Sequence, residues 1–382
     1  MSLLDAARAL APTIAARAAD TEAARRLPPD LAQMIADAGL FRMFVPQAYG
    51  GPQTDPATFV ETVEAVAMAD AAPAWCVMIA ATTAMTAAYL PPDWARTIHG
   101  RPEGVSGGVF APLGRAVREG DHWRVNGRWP WASGSQHCDW LLGGCLLEED
   151  GQIRTLPNGA PDARMLFWPA GEAELIDTWH VTGLKGTGSL DMAVKDVRVP
   201  LDRMVSFVAE RPRIEAPLYA FPAFGLLSFG IAAVALGNAR AAIEDLVNLA
   251  GAKKPQGARK VLAERAMAQV ELAKAEAALR SARAFLFDEI GKAWTLACAG
   301  DPVSREARAA LRLAATHAVR TGADVVRAMY DLAGGTAVYE TSPLQRRFRD
   351  AHVATQHIMT GPTTLEMTGR VLMGLTGDDA ML

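Results

Sequence analysis

The sequence predicts a mostly α-helical protein interrupted by one central β-domain. Three observations lead there. The first hundred residues repeat apolar positions at three- and four-residue spacing. Residues 104–212 turn glycine-rich, with short alternating or β-branched runs. Helical spacing then returns in longer stretches from 213 to the end. The expected division is an N-terminal helical domain over 1–103, a middle β-domain over 104–212 and a C-terminal helical bundle over 213–382.

In the first zone, "LPPDLAQMIADAGLFRMFVP" opens on Pro28-Pro29-Asp30 and spaces Leu31, Met34, Ile35 and Leu40 as one helical face, with Gly39 near its end. Prolines in a first turn and a glycine at the close mark a helix. Two further helices are expected within "DPATFVETVEAVAMADAAPAWCVMIAATTAMTAAYL", parted near Ala72-Pro73, and "PPDWARTI" opens another. In the middle zone "GVSGGVF", "HWRVNGRW", "DWLLGGCLL", "ARMLFWPA" and "MAVKDVRVP" read as strands, and Asn126-Gly127 as a hairpin turn. In the third zone Leu272, Leu279 and Leu286 recur by sevens, with Ala275, Ala282 and Ile290 between them, so 261–294 is a long helix with a broad apolar stripe. "REARAALRLAATHAVRTGADVVRAMYDLAGG" predicts a second, stopped by Gly334-Gly335; helices this long belong to bundles.

Composition excludes several functions. The chain has 382 residues, half of them hydrophobic, a net charge of −4 and no basic block, so no nucleic-acid partner is expected. Cys76, Cys138, Cys145 and Cys298 are scattered without a CxxC, which predicts no metal, no disulfide and a reducing cytoplasm. The amphipathic N-terminus lacks a continuous apolar core and carries Asp5, Asp20 and Glu22, unlike a signal or transit peptide. The apolar run at 219–237 is interrupted by Pro222 and glycines, and reads as a buried helix start rather than a membrane span.

The densest chemistry lies in "WPWASGSQHCDW" at 129–140, where Trp129, Trp131 and Trp140 crowd beside Ser133, Gly134 and Ser135. Tryptophans alone signify core. Flat rings next to hydroxyls suit a flat ligand with polar edges, such as an isoalloxazine. "GLKGTGS" at 183–189 offers backbone amides with the Thr187 and Ser189 hydroxyls, as an anion loop or equally as a tight strand connection. His352 and His357 stand five apart, on different faces of one helix, so they form no zinc pair.

The combination resembles the acyl-CoA dehydrogenase superfamily over nearly the whole chain: helical domain, β-barrel-like middle domain, four-helix bundle. "WRVNGRWPWASG" is similar to the family's flavin strand, which implies Trp131 as the stacking aromatic and Ser133 as the hydroxyl bonded to flavin N5. "DTWHVTGLKGTGSLDMAVKDVRVP" resembles the segment that contacts the cofactor, implying Thr182, Lys185, Thr187 and Ser189 with Gly134. "LAGGTAVYETSPLQRRFRD" resembles the segment that reaches a neighbouring subunit's FAD, implying Gly334, Gly335 and Arg346. Where common dehydrogenases carry their proton-abstracting glutamate, this chain has Ile358, beside His357; the first carboxylate is Glu366. That departure resembles the flavin-dependent monooxygenase branch, including two-component hydroxylases of phenols and indole-type compounds.

The implied activity is hydroxylation of a small aromatic or heteroaromatic substrate through a flavin C4a-hydroperoxide, with reduced FAD or FMN from a separate reductase, O2 as co-substrate and a homotetrameric assembly. On this reading Ser133 protects the flavin, and His357, near neutral in pKa, acts on the substrate or on oxygen. Phe110, Trp129, Phe221 and Phe224 are candidate substrate contacts. No histidine stands in "AWCVMIAATTAMTAAYL", unlike some branch members, which counts against sulfur oxidation. Two other readings stay open: a dehydrogenase or flavin oxidase with a displaced base, and a catalytically silent scaffold of the same fold.

Overall fold

The computed structural model describes residues 1–377 and 381–382. Six helices come first: α1 (Leu3–Ala16), α2 (Ala18–Ala24), α3 (Pro29–Asp37), α4 (Pro56–Ala69), α5 (Ala71–Ala84) and α6 (Pro92–His99). Their starts follow local chemistry. Ser2 accepts the Asp5 N–H at the head of α1, Asp55 accepts the Thr58 N–H at the head of α4, and prolines occupy the first turns of α3, α4 and α6. α4 and α5 part at Asp70, two residues before the expected Ala72-Pro73. Asp70 is extended and its carboxylate caps the Ala72 N–H, which leaves Pro73 inside the first turn, where a missing N–H costs nothing.

The strands are β1 (Ser106–Glu119), β2 (His122–Ala132), β3 (Trp140–Glu149), β4 (Gln152–Ile153), β5 (Ala163–Pro169), β6 (Glu174–Ile176), β7 (Leu190–Pro200) and β8 (Met204–Val205). They make one mixed sheet in the order β6-β7-β2-β1-β3-β5-β8, with β4 on β3. β1 runs parallel to β3, and the other pairs are antiparallel. The sheet serves two cores through the two-residue alternation of its strands. Leu142, Met165 and Phe167 join the helices; Leu141, Leu166 and Trp168 join Trp123 and Trp129 on the other face.

Asn126-Gly127 is not a hairpin turn. The β1–β2 turn is Gly120-Asp121, with Gly120 at φ +61°, while Asn126 sits mid-strand against a bulge in β7, its side chain bonded to both the amide and the carboxylate of Asp196. Gly127 is there to make room. A Cβ on Gly114, Gly127 or Gly143 would stand 2.2, 2.5 or 2.7 Å from the Trp129 ring. These three glycines of the zone form a cradle for one indole.

The remaining helices are α7 (Pro217–Ala220), α8 (Ala223–Ala250), α9 (Ala266–Ala299), α10 (Arg305–Ala333), α11 (Pro343–Ala354) and α12 (Pro362–Leu372). α8 contains most of the apolar run and packs on α4, α5, α9, α10 and α11, which explains why it is apolar all round. α9 buries Ala275, Leu279, Ala282, Leu286 and Ile290 along one stripe.

Candidate active site

The flavin-strand segment breaks its ladder where the chemistry lies. β2 pairs with β7 at Trp129↔Met192 and next at Ala132↔Leu190, so β2 carries one extra residue there. Pro130 has no N–H to give a ladder. Trp131 takes up the bulge at φ +66° and turns its indole outward, 69% exposed. A bulky residue in the left-handed region costs about 1–2 kcal/mol. Nothing in the sheet's packing repays this, because Trp129, two residues earlier, already fills the core. Strain and exposure at one aromatic mark a site rather than a fold requirement.

Next to Trp131 a chain of polar atoms is closed off from solvent. Trp75 Nε1 lies 3.1 Å from Ser133 Oγ, Ser133 Oγ lies 2.6 Å from Ser189 Oγ, Ser189 Oγ lies 2.6 Å from Thr187 Oγ1, and Thr187 Oγ1 lies 2.8 Å from the Leu184 carbonyl oxygen. All five residues are buried. Trp75, on α5, also meets the His357 ring edge-on at 5.7 Å between centroids. One indole thus joins the hydroxyl chain to the imidazole. Trp75 was not legible in the sequence as a site residue; in "APAWCVMIAA" it reads as helix core.

His357 lies beyond α11, in the turn that follows it, and not on the helix itself. Its Nδ1 accepts the Met359 N–H at 3.2 Å, so a neutral ring carries its proton on Nε2. Burial of the ring and the nearby Arg312 guanidinium push its pKa down to about 4. The expectation of a near-neutral pKa is therefore corrected: at physiological pH this imidazole is uncharged and offers an N–H. Arg312 is itself buried, bonded to the Phe224 and Met359 carbonyls at 3.0 Å, and pairs with no carboxylate among the described residues. His352 is committed elsewhere, its Nδ1 bonded to the Phe348 carbonyl one turn back at 2.7 Å. Ile358 is 68% exposed and Glu366 is exposed on α12.

Several expected site residues serve the fold instead. Trp129 is fully buried, with its Nε1 on the Gly144 carbonyl at 2.8 Å and its ring against Trp168, so it is a packing residue and not a substrate contact. Phe221 is likewise buried, between Phe229 and Trp294. Phe110 and Phe224 are half-buried.

The glycine-rich loop is a packing device more than an anion cradle. A Cβ on Gly183 would meet the α11 backbone at 2.4 Å, and one on Gly186 would meet Thr21 at 2.3 Å. The Leu184 N–H is given to Asp350, and the Gly134 N–H to the Thr187 carbonyl. The Thr182 carbonyl takes Arg349, and Lys185 pairs with Glu22 at 3.5 Å. Arg346 is half-buried and lies near Asp70, Asp350 and Glu22; burial raises the Asp70 and Asp350 carboxyls, and the Arg346 charge offsets part of that rise. Gly334, with Gly335 beside it, ends α10 at the surface.

An exposed indole two residues from a hydroxyl with a lone pair to spare suits a flat heteroaromatic ring with a polar edge. The fold and this site are of the kind expected in a flavin-dependent oxidoreductase. Comparison with known proteins agrees. Residues 2–90 match the family Acyl-CoA dehydrogenase, N-terminal domain, and residues 229–362 match Acyl-CoA dehydrogenase, C-terminal domain. An indole-3-acetate monooxygenase from Pseudomonas putida is 37% identical, over 88% of this chain and 84% of its own length. The oxygenase subunit HsaA of a flavin-dependent monooxygenase from Rhodococcus jostii is 29% identical, over 98% and 99%. The crystal structure of 3-HSA hydroxylase from Rhodococcus sp. RHA1 superposes with a TM-score of 0.91 at 28% identity, covering 100% of this chain and 99% of that one. The chain belongs to the acyl-CoA dehydrogenase superfamily, in its flavin-dependent monooxygenase branch.

Proposed function

We propose that this chain is the oxygenase component of a two-component system that hydroxylates a small aromatic or heteroaromatic compound, with an indole-type ring favoured. A separate reductase delivers the reduced flavin. The bound flavin supplies the two electrons that activate O2. The observation that carries the reading is the strained, exposed Trp131 beside Ser133, with His357 two contacts away through Trp75 and no carboxylate at Ile358.

Each residue then has a physical task. Trp131 would give a bound flavin a face to stack on, and Ser133 Oγ would accept from the N5–H of a reduced one. His357 holds a substrate heteroatom through its Nε2–H; with a pKa near 4 it is a poor general base, so orientation is its main contribution. Phe110 and Phe224 line the approach for a flat substrate. Gly334, Gly335 and Arg346 serve the adenylate half of a neighbouring subunit's cofactor, which favours FAD over FMN. That role fits a homotetramer, as do the exposed Val247, Met267 and Val270 on α8 and α9. The indole preference is supported by the name of the 37% identical relative.

The test supplies purified protein with FAD, a flavin reductase, NADH, 18O-labelled O2 and either indole-3-acetate or a simple phenol. The reading expects a product that gains one labelled oxygen atom. Reduction of bound oxidised flavin by an acyl-CoA with no reductase present would contradict it and favour a dehydrogenase with a displaced base.

A further inference from the structure

We propose that the buried chain Trp75–Ser133–Ser189–Thr187–Leu184 fixes the direction of the Ser133 hydroxyl, and that Ser189 and Thr187 are thereby positioning residues that make the site select reduced over oxidised flavin. This rests on the reading that the flavin lies against Ser133.

The argument is a count of protons. Trp75 Nε1–H can only donate, and the Leu184 carbonyl can only accept. Between them stand three hydroxyls with one proton each. The chain has four links, at 3.1, 2.6, 2.6 and 2.8 Å, and four protons to fill them. A link without a proton would press two oxygen lone pairs together. Only one assignment fills every link. Trp75 donates to Ser133, Ser133 to Ser189, Ser189 to Thr187, and Thr187 to the Leu184 carbonyl.

The far end is anchored rather than free to turn. Leu184 sits at φ +50°, its N–H held by Asp350 Oδ1 at 2.5 Å, and its carbonyl also accepts from Trp179 Nε1 at 3.2 Å. Ser133 has therefore spent its proton inward and keeps one lone pair. Whatever further group approaches that hydroxyl has to be a donor. The N5 of a reduced flavin carries a hydrogen and meets that demand. The N5 of an oxidised flavin presents a lone pair and does not. A buried acceptor facing an acceptor costs enough to weaken binding about tenfold to a hundredfold.

Two substitutions reverse the logic and one leaves it intact. Ser189→Ala removes the acceptor that takes the Ser133 proton, so Ser133 is free to donate outward. Thr187→Val leaves Ser189 without an acceptor, so Ser189 turns to Ser133 and again frees the Ser133 proton. Trp75→Phe removes a donor only, and Ser133 still gives its proton to Ser189.

The experiment is anaerobic titration of the full chain with FAD and with dithionite-reduced FAD, followed by protein fluorescence, giving the ratio of the two dissociation constants. The expected result is a wild-type preference for reduced FAD that shrinks about tenfold or more in Ser189→Ala and Thr187→Val, mainly through tighter oxidised FAD, and survives in Trp75→Phe. An unchanged ratio in both hydroxyl variants, with Ser133→Ala altering it, would overturn the relay while leaving the flavin on Ser133. Loss of the preference in Trp75→Phe to the same degree would also overturn it, because disturbance of the pocket would then explain all three. If Ser133→Ala changes the binding of neither form, the placement of the flavin itself falls, and the relay with it.

Discussion

Two tryptophans two residues apart give the sharpest division between fold and function, and Trp131→Gly tests it. Trp131 is 69% exposed, so about a third of its side chain is covered. A fully enclosed tryptophan buries about 150–250 Å², so the substitution uncovers ~60 Å², costing ~1.5 kcal/mol at ~25 cal/mol per Å². Glycine's extra freedom in the unfolded chain costs ~0.5–1 kcal/mol more. Against this, φ +66° ceases to be strained, which returns ~1–2 kcal/mol. The net is a destabilisation of about 0–1.5 kcal/mol. Trp129→Ala, at a fully buried ring, instead costs about 3–5 kcal/mol. Urea unfolding of both apo variants, beside titration with reduced FAD, measures the contrast. The expected result is that Trp131→Gly unfolds nearly as wild type yet binds flavin about tenfold or more weakly, from lost stacking area. Unfolding of Trp131→Gly as early as Trp129→Ala, or unchanged flavin binding, would refute the reasoning.

Other outcomes follow from the same geometry. Gly143→Ala places a methyl 2.6–2.7 Å from the Trp168 and Trp129 rings and should cost about 1–3 kcal/mol by overpacking, seen as a lowered urea midpoint at unchanged slope. His357→Ala should lose hydroxylated product while binding reduced flavin; full coupling of reductant use to product in that variant would make the histidine structural. With its pKa near 4, His357 stays neutral from pH 8 to about 5, so product formation should show no histidine step near pH 6.5. Burial raises the carboxyls of Asp350 to about 7 and Asp70 to about 6, above their ordinary range. Each then contributes stability that is full below the unfolded pKa and lost as pH rises through the folded one. Asp350→Asn keeps an acceptor for the Leu184 N–H and should flatten the loss of stability between pH 4 and 7; an unchanged pH profile of the urea midpoint would argue against a buried proton there.

The fold was largely legible because its signals are local. Proline starts, the α9 stripe at Leu279 and Leu286, and β-branched runs around 190–200 depend on neighbours a few residues away. What misled was residue chemistry set by distant partners. Gly127 looked like a turn because glycine permits positive φ, whereas its role is to admit Trp129. Gly183 and Gly186 read equally as an anion loop or a tight connection, and the space they leave is taken by α11 and Thr21. Trp131 and Ser133 were singled out through resemblance. The strain that separates Trp131 from Trp129, the bridging place of Trp75, and the Met359 amide that fixes the His357 tautomer are visible only once 75, 133 and 357 are brought together.

The central claim is that reduced flavin, seated against Trp131 and Ser133, is the species that meets oxygen. Its most direct test is stopped-flow mixing of the anaerobic protein–reduced-FAD complex with O2, following the return of oxidised-flavin absorbance. The account predicts a clear lag before that return, shortened in Ser133→Ala. Reoxidation as fast as that of free reduced FAD, in wild type and variant alike, would contradict it.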